Sequence, residues 1–316
     1  MNPPVITVTL NPAIDQTVAL TTLTHGAVNI AESTATNPGG KGVNVASCLA
    51  DWGTPVIATG ILGRDNAAPF AQLFHDKGIG GRFVYQPGAT RVNIKLVSAA
   101  DGATTDINLP GAAVPPATWQ EWLDTLDDLS EPGRFIVLSG SLPGGLPDDS
   151  YATLCARLTG DRARVVLDTS GEALRQALAG QCLPYCIKPN RHELEQWAGH
   201  PLPTLGDVLT AARALLAQGV RQVVVSLAEE GALFVGAPGA WLAQLPPFRP
   251  VSSVGAGDAL LAGWIAAQHE GRDWERSMRL ALAFAAGKLT HLGPHLPEIT
   301  VVNRLADEVS LTRLGV

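Results

Sequence analysis

Hydrophobic and polar positions along the chain follow two rhythms. Short β-branched runs, VITVTL (5–10), PVIATG (55–60), FIVLSG (135–140), RVVLDTS (164–170), PYCIKPN (184–190) and RQVVVSL (221–227), predict strands. Between them, VNVASCLADW (43–52), NAAPFAQLFHDKG (66–78), ATWQEWLDTLDDL (117–129) and TLGDVLTAARALLAQG (204–219) predict helices. Nearly continuous apolar strands separated by helices predict a doubly wound, mainly parallel α/β sheet covered on both faces. Ligands are then expected at the carboxyl ends of the strands. Two regions, 14–36 and 90–109, alternate polar and apolar positions (TRVNIKLV, TTDINL) and predict antiparallel strands outside that sheet, placed as a flap over the site. Residues 255–289 predict helices. No repeat, low-complexity tract or charged linker interrupts the pattern, so the expected organisation is one α/β domain over residues 1–316 with a small β lid.

Composition narrows the partners. The 316 residues are 46% hydrophobic, enough for a large core, and only 16% charged. Lys and Arg total 22 against 29 Asp and Glu, a net charge of −7 with no basic block, which disfavours nucleic acid and anionic membranes. No apolar run approaches the ~20 residues that span a bilayer. The opening MNPPVITVTLNP lacks the basic region of a secretory signal and predicts a first strand. Cys48, Cys155, Cys182 and Cys186 are too scattered for a disulfide scaffold and lack zinc spacing, so free thiols in a cytoplasmic protein are expected.

Several segments carry candidate chemistry. In VSSVGAGDALLAGW (251–264), Gly255, Ala256 and Gly257 open directly into a helix. Converging backbone N–H groups and the positive helix end there suit an anion such as a transferring phosphoryl group, with Asp258 in the same first turn. A tight turn with Asp258 as a helix-stabilising acid gives the same pattern. Leu260 occupies the third position of a GxGxxG fingerprint, and Lys41 is followed by Gly42 rather than Ser or Thr, so neither a dinucleotide motif nor a Walker A loop is present. NPGGKGVNVA (37–46) is a second glycine-rich loop entering a helix, with Lys41 as a charge for phosphate and Asn44 as donor and acceptor. Asp15 follows the first strand, where an acid suits sugar hydroxyls or a plain surface turn. Arg91, Asn93 and Lys95 alternate along TRVNIKL and share one strand face, as phosphate contacts or as a solvated surface. Asn190 and Glu193 in KPNRHELE suit water-mediated Mg²⁺, although Asn190 also makes a good N-cap. SGSLPGG (139–145) adds a small-residue strand end at Ser139. The seven histidines form no Ser-His-Asp or HExxH spacing.

Taken in order, TLNPAID, GGKGVNVA, TRVNIKL, SGSLPGG, LDTSGEAL, KPNRHELE, VVVSLAEEGAL and SVGAGDA resemble the ribokinase-like (PfkB) sugar kinases along essentially the whole chain. Lys41 after the paired glycines, with ILGRDN, TRVNIKL and KPNRHELEQWAG, is most similar to the 1-phosphofructokinases, with tagatose-6-phosphate kinases as near neighbours. The resemblance implies transfer of a phosphoryl group from ATP, with Mg²⁺, to the 6-hydroxyl of fructose 1-phosphate. It implies Asp258 as catalytic base and Gly255, Ala256 and Gly257 as anion hole. Asp15, Gly40, Asn44 and Asp258 would hold the sugar, and Lys41, Arg91 and Lys95 its phosphate, with Asn93 and Ser139 on the same substrate side. Lys188, Ser226, Leu227, Ala228, Glu230, Gly231, Val254, Gly255 and Gly257 would border ATP, and Asn190 and Glu193 would lie near Mg²⁺. The β lid would also clasp a second subunit in a homodimer. Ser253 replaces a frequent Thr, and Asp106 stands where fructose-6-phosphate kinases of the family tend to carry Arg, which argues against a phosphate seated there. The alternatives are tagatose-6-phosphate kinase or 6-phosphofructokinase activity, and a non-catalytic sugar-phosphate-binding regulator, for which a lost base or broken anion hole is expected.

Overall fold

In the computed structural model, residues 2–100, 103–160, 163–247, 255–290 and 295–315 are described. The first half runs β1 (Val5–Thr9), β2 (Ala13–Leu20), β3 (Ser33–Gly39), α1 (Lys41–Trp52), β4 (Val56–Gly63), α2 (Ala68–Lys77) and β5 (Gly80–Gln86). It continues through β6 (Val92–Ser98), β7 (Thr104–Ile107), α3 (Pro116–Leu129), β8 (Phe135–Ser139), α4 (Ser150–Gly160) and β9 (Arg164–Asp168). There follow α5 (Gly171–Ala179), β10 (Cys186–Ile187), α6 (Arg191–Ala198), α7 (Leu205–Gln218), β11 (Gln222–Ser226), β12 (Ala232–Gly236) and β13 (Gly239–Gln244). The chain closes with α8 (Ala256–His269), α9 (Trp274–Leu289), α10 (Ile299–Glu308) and β14 (Ser310–Leu314).

Ten strands form one sheet in the order β14-β13-β12-β11-β10-β9-β8-β1-β4-β5. From β11 to β5 every pairing is parallel, as the apolar runs predict. Alternate residues feed two separate cores: Val5, Phe135 and Val137 pack with α1, α8 and α9, whereas Ile6, Val8, Ile136 and Leu138 pack with α3, α4, α5 and α7. This two-sided burial is why the strands read as continuous hydrophobic runs. Helix α8 is buried along nearly its whole length, so its first turn is held rigidly against the sheet. The predicted strand at 184–190 shortens to Cys186–Ile187, because Pro184 and Pro189 have no N–H for the ladder. The antiparallel edge β12-β13-β14 was not expected. β12 turns back after β11 through a short 3₁₀ turn, and the exposed pattern of β14 gives no periodic signal.

A second sheet, ordered β3-β2-β6-β7, occupies the two regions that broke the rhythm. Its outer pairs, β2–β3 and β6–β7, are antiparallel as expected, but the central β2–β6 pair is parallel. β2 follows β1, and β6 follows β5, through links of only a few residues. Two strands that leave the same end of a parallel sheet keep its direction.

Candidate functional site

The carboxyl ends of β1, β8 and β9 lie side by side, with Thr9 opposite Ser139 and Ser139 opposite Asp168. All three are buried, and Thr9 Oγ1, Ser139 Oγ and Asp168 Oδ2 find no hydrogen-bond partner among the described residues. The other carboxylate oxygen, Asp168 Oδ1, receives Lys41 Nζ at 3.0 Å and Lys188 Nζ at 3.3 Å. The sequence motifs assign Asp168 no role, although it stands in LDTSGEAL; only the fold shows that two lysines 147 positions apart share its oxygen.

Lys41 opens α1, directly after Gly40, whose φ of +116° a side chain would not tolerate. One turn on, Asn44 Nδ2 donates to Asp258 Oδ2 at 2.8 Å. Asp258 is buried in the first turn of α8, behind a left-handed Gly255 that offers no capping side chain. The first N–H groups of a helix have no partners within it, so α8 presents donors where Asp258 presents an acceptor. Lys188 Nζ comes within 3.4 Å of where a Cβ on Gly257 would sit. Burial, then the Asp168 charge, pushes the Asp258 carboxyl up to about 6, against the Asn44 hydrogen bond and the Lys41 and Lys188 charges. A helix N-terminus alone predicts an acid that ionises easily; enclosure reverses that expectation. Burial disfavours the Lys41 ammonium, but Asp168, Asp258 and Glu193 outweigh it and raise its pKa.

The sugar-side candidates meet on the small sheet. Asp15 lies within β2 rather than at a strand end, in register with Asn93, whose Nδ2 donates to Asp15 Oδ1 at 3.1 Å. A Cβ on Gly39 would fall 2.4 Å from Asp15 Oδ2, so the glycine loop passes directly over this acid. Burial raises the Asp15 pKa while Asn93 and Lys95 oppose it. Arg91 is engaged with backbone carbonyls, Nη2 to Asn11 at 3.0 Å, Nη1 to Leu109 at 3.0 Å and Nε to Pro12 at 3.3 Å. Lys95 pairs across β6–β7 with Asp106 at 3.3 Å. A phosphate held by either cation must therefore share or displace these partners.

On the other side, Asn190 and Glu193 form a reciprocal capping box at the start of α6, each side chain accepting the other's backbone N–H at 2.8 Å. Ser226 bridges to Asn190, and Arg191 Nη2 binds Glu230 Oε1 at 2.8 Å, so the KPNRHE and SLAEEG loops form one wall. Within it Ala228 holds a φ of +52°, a strained conformation outside glycine, and Gly231 follows at +97°. Val254 and Ser253 lie outside the described residues. Among the described residues no group of three or more His, Cys, Asp or Glu side chains stands ready for a metal. The four cysteines are free, and no helix among the described residues is long and apolar enough to cross a membrane.

The model of the pfkB family carbohydrate kinases matches residues 8–300. The chain belongs to that family. It is 50% identical over 287 residues to the 1-phosphofructokinase of Xanthomonas campestris pv. campestris, covering 90% of both chains. It is 43% identical over 284 residues to the 1-phosphofructokinase of Escherichia coli K12, covering 89% of both. Among solved structures, phosphofructokinase-2 from Escherichia coli in complex with substrates and products superposes with a TM-score of 0.90 at 27% identity, covering 96% of this chain and 98% of that one. Gly255, Ala256, Gly257 and Asp258 lie together in the first turn of α8.

Proposed function

We propose that this pfkB kinase transfers a phosphoryl group from ATP to the 6-hydroxyl of fructose 1-phosphate, giving fructose 1,6-bisphosphate and ADP. The observation that carries it is Asp258, an acceptor at the mouth of α8, oriented by Asn44 and flanked by Lys41 and Lys188. The 6-hydroxyl gives its proton to Asp258 as its oxygen bonds the γ-phosphorus, and the bond to the ADP oxygen breaks. Such a loose transition state needs alignment and charge neutralisation more than a strong base. The first N–H groups of α8 and Lys188 receive the charge on the transferring oxygens, and Asp15 and Asn93 orient sugar hydroxyls. The loops 188–193 and 226–231 border the nucleotide. Mg²⁺ supplies charge neutralisation on the phosphates. A capping box that engages both side chains, with no acidic cluster among the described residues, suits a metal held by water and phosphate oxygens, with Asn190 and Glu193 in its outer shell.

The partners of Arg91 and Lys95 bear on the substrate. Asp106 puts negative charge beside Lys95, which disfavours a phosphate seated there and argues against fructose 6-phosphate as the main substrate. With MgATP, fructose 1-phosphate is expected to exceed fructose 6-phosphate and tagatose 6-phosphate in kcat/KM by about tenfold or more, roughly 1.4 kcal/mol of discrimination. Preference for tagatose 6-phosphate would keep the mechanism and change the substrate. No turnover on any of the three sugars would sink the assignment.

The small sheet acts, in this reading, as a lid that excludes water during transfer and joins a second copy into a homodimer. Support comes from the apolar side chains it leaves in solvent: Val28 is 94% and Ile30 84% exposed between β2 and β3, and Ile107 at the end of β7 and Leu109 just past it are exposed. Light scattering is expected to give a dimer, and Ile30→Asp with Val28→Asp a monomer of undiminished melting temperature. A monomeric parent would refute the clasp.

A further inference from the structure

The first turn of α8 is backed by a cation that none of the sequence motifs contains. Lys288 lies in the last turn of α9 and is 5% exposed. Its stem runs beneath Gly255: a Cβ there would meet Lys288 Cε at 3.1 Å and Cγ and Nζ both at 3.9 Å. Gly255 is the left-handed residue from which α8 starts. Lys288 therefore stands between the negative end of one helix and the positive end of another. Burial lowers its pKa, while Cys48 and Asp258 oppose the shift.

Placing an ammonium there is costly, and the position chosen is informative. The α9 terminus and Asp258 compensate part of the charge, but the N-terminus of α8 repels it. Asp258 feels Lys41, Lys188 and Lys288 together with Asp168, and Glu193 also acts on Lys41. Lys41, Lys188 and Lys288 thus bring three positive charges to the positive end of α8, where an arriving polyanion would meet them.

We propose that Lys288 is a positioning residue for phosphoryl transfer: its stem fixes the turn at Gly255, and its ammonium adds fixed positive charge behind the N–H groups that receive the transferring phosphoryl. The proposal rests on the kinase reading above, which turnover by the parent chain decides separately. Lys288→Met keeps the stem and removes the charge. It is expected to lower kcat by about 10- to 100-fold, with both KM values within about threefold and the melting temperature no lower than the parent's. Lys288→Ala opens space for a small cation, and ammonium or methylammonium at tens of millimolar is expected to restore part of its kcat, whereas tetramethylammonium does not. A second readout needs no turnover: by calorimetry, Lys288→Met should lose affinity for ADP with aluminium fluoride and fructose 1-phosphate while binding ADP alone as the parent does. If Lys288→Met does not fold, Lys288→Gln, which keeps donors without charge, carries both measurements. A folded neutral variant with parental kcat and parental aluminium fluoride affinity overturns the proposal.

Discussion

Asp258→Asn is expected to lower kcat by about two to four orders of magnitude, with the KM values for ATP and sugar phosphate within about threefold. The amide keeps the shape of the side chain and a partner for Asn44, so substrates still bind; what disappears is the acceptor for the hydroxyl proton. The parent should show the same dependence in its pH profile. Because enclosure holds the Asp258 carboxyl at about 6, kcat/KM should fall tenfold per unit below that pH. Asn44→Ala removes a hydrogen bond that favours the ionised form, so the acid limb should move to higher pH. Stability provides an independent check. The folded-state pKa lies above the ordinary 3.8, so the fold prefers the protonated carboxyl, and this stability is present below 3.8 and lost as pH rises through about 6. Asp258→Asn, neutral at every pH, should therefore melt higher than the parent at pH 8, with the difference shrinking toward pH 4. Equal melting curves at pH 8 would mean that the carboxyl is not buried as described.

Much of this arrangement was legible in the sequence because it depends on local chemistry. Helices α1, α2, α3 and α7 lie within about two residues of their predicted limits, since amphipathic spacing and flanking glycines or prolines set them. The glycines at 39–40 and 255–257 marked both loops whose backbones approach other groups closely. Asn190 and Glu193 show where local reading divides: the same three-residue spacing serves a capping box or a metal's outer shell, and the fold shows the first. Other features depend on partners distant in sequence. The parallel β2–β6 pairing follows from which end of the main sheet both strands leave, not from alternation within either strand. Arg91 reads as a free cation until the carbonyls of Asn11, Pro12 and Leu109 surround it. The raised Asp258 pKa depends on burial and on Asp168, neither visible in GAGD.

Asp168→Ala is expected to destabilise the fold by about 3 kcal/mol, the largest effect on stability of any single change near the site. Asp168 Oδ1 is the shared acceptor for Lys41 and Lys188, and its loss removes their nearest countercharge. The two lysines respond differently. Lys41's side chain is 35% exposed and can turn toward water, whereas Lys188's is 5% exposed and cannot, so most of the cost falls on Lys188. Asp168→Asn keeps the volume and one acceptor, and should lose roughly half as much. Phosphate ions should then stabilise the Ala variant more than the parent, because they supply the missing negative charge beside α8. The two effects on catalysis oppose each other. Without the Asp168 charge the Asp258 pKa falls and the acid limb moves to lower pH, yet kcat drops because the lysines are no longer held in place. A variant as stable as the parent in phosphate-free buffer, with an unmoved acid limb, would show that the two lysines do not depend on Asp168.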